Sequence, residues 1–278
     1  MSITRILTNP DSIAVQANLN SIQSELSKVV SHLSTGLRIT TGADDPSGVA
    51  LANKFRTQQS GTEVAIGNVQ DALSLFAAAD SALNDTQDIL RRMRDLAVKS
   101  MNSAVLTAAD QASLDAEYQA LATEINRRST AVTFNTKTLL DGTFAAQIQA
   151  GANGGTQYQL SAVISAVTTA VLFAGGVGDI TTQATASTAL TAVQSALNII
   201  STSQATIGVT ELKLNHVIND LQSQDVNIAA AKSRITDADM AAEISSFTKL
   251  QVLTQVGTAM LSQANAQPNS VLSLLGLK

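Results

Sequence analysis

Two histidines and a complete absence of cysteine limit the chemistry that this 278-residue chain could perform. Disulfides, thiolate zinc sites and thiol nucleophiles all require cysteine. His32 and His216 lie far apart in the sequence, and neither stands within a metal-ligand or catalytic-triad pattern. We therefore expect no catalytic residue, no metal site and no cofactor, and we interpret both histidines as ordinary surface or interface residues.

Two short motifs imitate functional sites, but each has a simpler interpretation. The glycine-rich run from Gly151 to Gly155 resembles a phosphate loop, yet the expected Lys-Ser/Thr pair and helix start do not follow it. A hairpin turn is therefore favoured for this run. Asp44 and Asp45 could bind a metal, but the next residue is Pro46, which is typical of a helix N-cap followed by its first helical residue.

A cluster of arginines, Arg91, Arg92 and Arg94, has two interpretations that the sequence leaves open. The cluster could be a basic contact patch. It could equally be a solvated helix face on which Asp88 pairs with Arg92 and Arg91 pairs with Asp95, because residues four positions apart are neighbours on a helix.

The composition favours long helices and disfavours nucleic acids and membranes as partners. Only 14% of the residues are charged, 3% are aromatic, and the net charge is −5. A net negative chain does not attract nucleic acid or anionic lipid, and no run is long and apolar enough to span a membrane. The first residues lack the apolar core of a secretory signal, so we expect any export to proceed without a cleaved signal peptide.

Both ends of the chain predict amphipathic helices whose apolar stripes are too thin to fold alone. The N-terminal stripe has heptad spacing and consists of Val15, Leu19, Ile22, Leu26, Val29 and Leu33. The C-terminal stripe consists of Ile244, Phe247, Leu250, Leu253, Val256 and Met260. An isolated helix of this kind is marginal in water. We therefore expect these side chains, including Val15, Leu19, Ile22, Leu26, Phe247, Leu250 and Leu253, to contact other copies of the chain.

Between the ends, two long helices are predicted to pair as antiparallel rods. One begins at Pro46 and continues to about Ser100, and a shorter helix opened by Thr107 follows. The other carries a seven-residue apolar repeat over residues 187–235. Its predicted seam consists of Val193, Ile200, Ile207, Leu214, Ile218, Leu221 and Ile228. Residues 131–186 are rich in Thr, Val and Gly and predict a small β-rich insert with a hairpin around Gly151–Gly155 and short strands beyond it.

These elements predict a mainly α fold, an elongated antiparallel long-helix coiled-coil bundle with a small β-hairpin insert. Seven motifs follow one another along the chain: Leu33-Ser-Thr-Gly-Leu-Arg-Ile39, Ala43-Asp-Asp-Pro-Ser-Gly48, Leu90-Arg-Arg-Met-Arg-Asp-Leu-Ala-Val98, Thr133-Phe-Asn135, Ser233-Arg-Ile-Thr-Asp-Ala-Asp239, Met260-Leu-Ser-Gln-Ala-Asn265 and Val271-Leu-Ser-Leu-Leu275. In these motifs and their order, the chain resembles bacterial flagellin along nearly its whole length. The sequence departs from the family pattern at Thr136, where glycine is usual.

The resemblance implies an organisation and a function. It implies an inner terminal domain from residues 1–43 and 236–278, a rod domain from 44–130 and 187–235, and a short variable insert at 131–186. It also implies a non-enzymatic subunit of the extracellular flagellar filament, which serves swimming motility. Such a subunit is exported unfolded through the flagellar type III channel and polymerises into a helical homo-oligomer.

The same resemblance implies partners and a contact surface. The expected partners are an export chaperone that wraps the C-terminal helix, the filament cap and the hook-associated junction proteins. Arg92, Arg94 and Leu96, with Glu117, match a surface that lies between protofilaments in many flagellins. The alternatives are a flagellin-like hook–filament junction protein and a coiled-coil adhesin or secretion-needle protein.

Overall fold

A computed structural model describes the backbone of residues 8–274 and the side chains of residues 8–266. The α-helices and β-strands of this region are α1 Pro10–Thr35, α2 Pro46–Ser100, α3 Ala108–Ala131, β1 Thr133–Phe134, β2 Lys137–Thr138, β3 Ala145–Gln149, β4 Gln159–Val163, α4 Thr169–Leu172, α5 Gln183–Thr236 and α6 Met240–Leu274. The predicted mainly α fold class with a small hairpin is confirmed.

The helix starts follow from local capping chemistry. Asp45 Oδ1 accepts hydrogen bonds from the backbone amides of Ser47 (3.1 Å) and Gly48 (2.9 Å), so α2 begins at Pro46 as predicted. Thr107 and Asp110 form a reciprocal capping box that opens α3. These short polar motifs satisfy the amides that the first turn of a helix leaves without partners.

The insert between α3 and α5 contains two antiparallel hairpins. β3 pairs with β4 in the register that joins Ile148 to Leu160, as the alternation of apolar residues predicted. A smaller hairpin pairs β1 with β2 around Asn135 and Thr136. The region after β4 was expected to hold short strands, but it contains the single-turn helix α4 and an irregular segment. Gln183 then starts α5 four positions before the predicted residue 187.

The described residues form two compact units. The terminal unit comprises the chain up to Thr57 and from Asn227 onward, and the central unit comprises Gln58–Val226. The division falls within α2 and α5, and each unit is described by itself below.

The core of the central unit is built from α2, α3, α5 and the insert. The large buried side chains of α2 include Val69, Phe76, Leu83, Leu90 and Met93. Those of α5 in this unit include Val193, Ile200, Ile207, Leu214 and Leu221, whereas Ile218 is half-buried. Gln204 Nε2 donates to Asn84 Oδ1 (2.9 Å) and Ser103 Oγ donates to Gln183 Oε1 (3.4 Å), so α2 and α5 run antiparallel here.

Polar side chains of α3 hold the irregular segment before α5. Tyr118 Oη donates to the Val177 carbonyl (3.2 Å), and Asp115 accepts from the Ile180 amide (2.9 Å). Burial, reinforced by the nearby Asp115 charge, raises the pKa of Tyr118 to about 12, so its hydroxyl stays a donor across the physiological range. These bonds satisfy backbone groups in a segment that has no sheet partner.

The terminal unit contains the pair formed by α1 and α6. At one end of the pair, Asn9 Nδ2 donates to the Ala264 carbonyl (2.7 Å). Ile228 of α5 is buried in this unit, and Leu250 is buried on α6. The α6 backbone continues as a helix through Pro268, where an interruption was expected. Proline removes one backbone hydrogen bond from a helix but does not by itself require the helix to end.

Candidate subunit interface

The segment between α1 and α2 is anchored by Asp44. Its carboxylate accepts from the amides of Thr40 (3.1 Å) and Thr41 (2.9 Å) and pairs with Lys28 Nζ of α1 (2.8 Å). The Lys28 ammonium, followed by the Thr41 and Thr40 amides, holds the pKa of Asp44 far below its ordinary value of 3.8. The negative charge that this carboxylate keeps at neutral pH therefore has a structural role, and the metal-ligand alternative is not needed to explain it.

A short antiparallel bridge joins this segment to the residues before α6. Leu37 pairs with Asp237, the Arg38 amide donates to the Thr236 carbonyl (2.7 Å), and the Ala238 amide donates to the Gly36 carbonyl (3.0 Å). Gly36 has a φ of +70°, a conformation that glycine adopts without strain and that lets α1 end in this turn. The bridge fixes the ends of α1 and α6 side by side.

His32 is a buried residue of this helix pair, not a surface residue as one of the two interpretations held. The residue is 7% exposed, and its Nδ1 lies 3.0 Å from Glu243 Oε1 of α6. The sequence gives no sign of this carboxylate because Glu243 is 211 positions away. This contact joins α1 to α6 at one point along the pair.

The predicted N-terminal stripe faces α6 in this structure. Val15, Leu19, Ile22 and Leu26 are half-buried, and a Cβ built on Gly257 would lie 3.0 Å from Leu19 Cδ1. The single chain therefore covers these side chains only in part. Whatever area remains accessible on them is available to a second copy.

The predicted C-terminal stripe is divided between two faces of α6. Leu250 is buried and Phe247 is half-buried against α1, whereas Ile244 is exposed. The stripe was assigned from the spacing of its residues alone. Spacing cannot show which of these residues face α1 and which are exposed. The side chains of one exposed surface, which we call the α6 outer face, are Val252, Leu253, Val256 and Met260.

The arginine cluster of α2 is exposed, and its ion pairs differ from the predicted ones. Arg92 donates two hydrogen bonds to Glu117 Oε1 of α3 (2.6 and 2.8 Å) instead of pairing with Asp88. Arg91 pairs with Asp88, and Arg94 lies 3.5 Å from Asp95. The predicted intrahelical pairs were wrong because α3 packs beside α2 and supplies a carboxylate that the local sequence does not contain.

Leu96 does not belong to the exposed part of this surface. It is 2% exposed and lies in the core of the central unit, so almost none of its side chain is accessible to another subunit, and its predicted intersubunit contact finds no support in the single chain. Arg92 and Arg94 lie on the solvent side of α2, and Leu96 lies on its core side. A motif taken from a resemblance identifies positions but does not identify the side of the helix on which each one lies.

The described region offers no sign of a metal centre or a membrane span. Among the described residues, no group of three or more His, Asp or Glu side chains is placed to hold a metal ion. None of the helices in the described part of the chain is long and apolar enough to cross a bilayer.

Comparison with known proteins identifies the family to which this chain belongs. Residues 6–145 match the bacterial flagellin N-terminal helical region, and residues 190–275 match the bacterial flagellin C-terminal helical region. The chain belongs to the bacterial flagellin family. It is 40% identical to a flagellin of Halalkalibacterium halodurans over 93% of each chain. It is 35% identical to a flagellin of Bacillus subtilis over 98% of this chain and 99% of that one.

A solved structure from Vibrio parahaemolyticus, described as a flagellar hook-associated protein, shares the fold. Its TM-score is 0.57, its identity is 14%, and the match covers 70% of this chain and all of that one. At this identity the likeness concerns the fold alone. The two flagellin regions and the flagellin relatives make this chain a structural subunit of the flagellar filament, an extracellular homopolymer, and a non-enzymatic protein.

Proposed function

We propose that the chain is exported unfolded through the flagellar type III channel and then polymerises beneath the filament cap. A subunit at the base of the filament would contact the hook-associated junction proteins. The observation that carries the proposal is the α6 outer face, because four large apolar side chains on one exposed surface indicate a contact with another protein.

We also propose that the chain has the domain organisation typical of its family. Residues 1–43 and 236–278 would form the inner domain, 44–130 and 187–235 the rod, and 131–186 a short variable insert. The separation of the terminal unit from the central unit supports this division. The proposed boundaries lie 9–14 residues from those of the compact units, because α2 and α5 pass through both units without interruption.

The α6 outer face would serve two partners in succession. In the cytoplasm, an export chaperone would cover it by accepting an amphipathic helix in a groove, and in the filament a second subunit would replace the chaperone. Phe247 and Leu250 lie on the α1 side in this structure, so a chaperone that contacts them must compete with α1. Chaperone binding and the α1–α6 pairing would then exclude each other.

A single substitution tests the outer face. Val256 is 52% exposed, so Val256→Asp leaves the folded chain intact but places a charge in the proposed contact. We expect this variant to lose assembly and to keep the helicity of the parent protein. Thr258→Asp introduces the same side chain at an exposed position on another side of α6 and is the matched control.

Electron microscopy and circular dichroism give the readouts. Filaments from the Thr258→Asp protein together with none from the Val256→Asp protein would support the proposal. Normal filaments from Val256→Asp would show that the outer face is not a subunit contact. Calorimetry of the same two variants with the family export chaperone tests the second partner separately.

We propose a second contact at Arg92 and Arg94, supported by their exposure on α2 and by the family resemblance. Arg92→Ala removes both the guanidinium and its pair with Glu117, whereas Glu117→Ala removes the intrachain pair alone. An exposed pair contributes little to stability, so both proteins should stay folded. Reduced assembly of Arg92→Ala but not of Glu117→Ala would indicate a direct intersubunit role, and equal assembly of all three proteins would contradict it.

A further inference from the structure

The loop that joins β3 to β4 contains the only Asn-Gly dipeptide in the sequence, Asn153-Gly154. In such a dipeptide the backbone nitrogen of the second residue can reach the side-chain amide carbon of the first. Glycine permits this approach best because it has no Cβ to obstruct it and because its backbone is conformationally free. Asn153 and Gly154 are both exposed and lie outside any helix or strand.

Hydrogen bonds join the residues at the base of this loop, whereas the residues at its tip are exposed. The Ala150 amide donates to the Tyr158 carbonyl (2.8 Å), and the Tyr158 amide donates to the Gly155 carbonyl (3.0 Å). Gln149 Nε2 donates to the Asn153 carbonyl (2.8 Å). These bonds restrain the residues that flank the dipeptide and leave the side chain of Asn153 in solvent.

The nitrogen that would react is the backbone amide nitrogen of Gly154. Among the hydrogen bonds of the described residues, none uses this amide as its donor. A Cβ built on Gly154 meets no atom within 4 Å, so the space around this residue is open. The loop therefore offers an unobstructed nucleophile next to an exposed amide.

We propose that Asn153 is a site of spontaneous deamidation in this protein. The Gly154 nitrogen attacks Asn153 Cγ, the new C–N bond closes a cyclic imide, and the side-chain nitrogen leaves as ammonia. Water then opens the imide at either carbonyl and produces aspartate or isoaspartate. In sum, an amide and one water become a carboxylate and ammonium, and no oxidant, metal or enzyme is required.

The product changes the charge and the backbone of a loop that is packed on α2. Ala152 lies against Gly61, where an added Cβ would come within 2.7 Å of the Ala152 Cβ. Deamidation places a carboxylate one residue from this contact, and the isoaspartate form inserts one extra carbon into the chain path. We infer that the contact between the loop and α2 loosens as the molecule ages.

Gly154→Ala is the variant that tests this chemistry with the least disturbance. The new methyl group has open space, and Gly154 does not have the left-handed φ that would strain an alanine. Asn102, exposed and followed by Ser103, serves as an internal reference in the same sample. Circular dichroism confirms that the variant keeps the parent helicity.

Both full-length proteins are incubated at mildly alkaline pH, digested at intervals and analysed by peptide mass spectrometry. We expect Asn153 to convert faster than Asn102 in the parent protein. Gly154→Ala should slow the conversion roughly tenfold, which corresponds to about 1.4 kcal/mol in activation free energy. The product at position 153 should be a mixture of aspartate and isoaspartate, the signature of the imide.

Three results would overturn the inference. The first is conversion at Asn153 that is no faster than conversion at Asn102. The second is an equal rate in the parent and in Gly154→Ala. The third is aspartate as the sole product, which would indicate direct hydrolysis of the side-chain amide.

Discussion

A β-branched residue in the left-handed region creates local strain in the first hairpin. Thr136 has a φ of +66° and follows Asn135, whose φ is +46°. Two positive φ angles in a two-residue turn match the twist of the flanking strands, and glycine is the residue that adopts them at least cost. The glycine of the family pattern at position 136 therefore has a physical reason, and this chain departs from that pattern with Thr136.

Thr136→Gly should consequently stabilise the protein. The relief of left-handed strain exceeds the entropy that glycine adds to the unfolded chain, so we expect a gain of about 1 kcal/mol in the free energy of unfolding. Thr133→Gly makes the same change in the extended strand β1 and should destabilise. Denaturant titration of the two variants checks both signs, and a loss of stability in Thr136→Gly would mean that the turn is not strained.

The carboxylate of Asp44 predicts a pH dependence for the terminal unit. Its folded pKa lies well below the ordinary value of 3.8, because Lys28 and two amides stabilise the charged form. The contribution to stability is therefore complete above that ordinary value and is lost as the pH falls below it. Asp44→Asn should lower stability at neutral pH and flatten the acid limb of the stability curve.

Thermal melts over an acid-to-neutral pH series measure this effect. Asp220→Asn, at an exposed position of α5, makes the same carboxylate-to-amide change and is the matched control. If Asp44→Asn retained the parent's full loss of stability on acidification, the effect would have to come from other carboxylates.

At the scale of the elements, the heptad repeat of α5 describes its buried face. Leu214 is 0% exposed, whereas Leu212, two residues away on the same helix, is 63% exposed. Leu214→Ala should cost about 2–5 kcal/mol through lost burial and a residual cavity. Leu212→Ala should change the free energy of unfolding by no more than about 0.5 kcal/mol. Equal effects in denaturant titrations would show that the repeat does not mark the core.

Helix starts and turns could be predicted from the sequence where neighbouring residues are compatible with only one local structure. Asp45 before Pro46, the box from Thr107 to Asp110 and the alternation around Gly151 each determine a start or a turn from neighbouring residues. The short strands expected after Val163 are absent, because that segment is held by long-range bonds from α3 such as the one donated by Tyr118. Such bonds leave no trace in the local sequence.

The sequence predicted which positions belong to the candidate interface but did not predict which of them are exposed in the folded chain. Periodicity identified the amphipathic faces but could not show that α1 covers Phe247 and Leu250 and leaves Leu253 exposed. The resemblance identified Arg92 and Leu96 together, although one is exposed and the other is buried. Long-range pairs such as His32 with Glu243 are invisible to any pattern, because spacing along the chain carries no information about them.

At the scale of the whole molecule, the terminal helices should change their accessibility on assembly. Most of the described α6 side chains are exposed and the N-terminal stripe of α1 is half-buried, so few contacts protect these ends in a single copy. Limited proteolysis of the monomer should cut near residues 1–40 and 240–278 and leave a resistant core. The same sites should resist cleavage in assembled protein, and equal protection before and after assembly would contradict this prediction.

The most direct test of the filament function is negative-stain electron microscopy of concentrated, purified full-length protein. The account predicts long helical filaments of uniform width that grow from the chain alone or from short filament fragments added as seeds. A preparation that is folded by circular dichroism but yields only monomers or amorphous aggregates, with and without seeds, would contradict it.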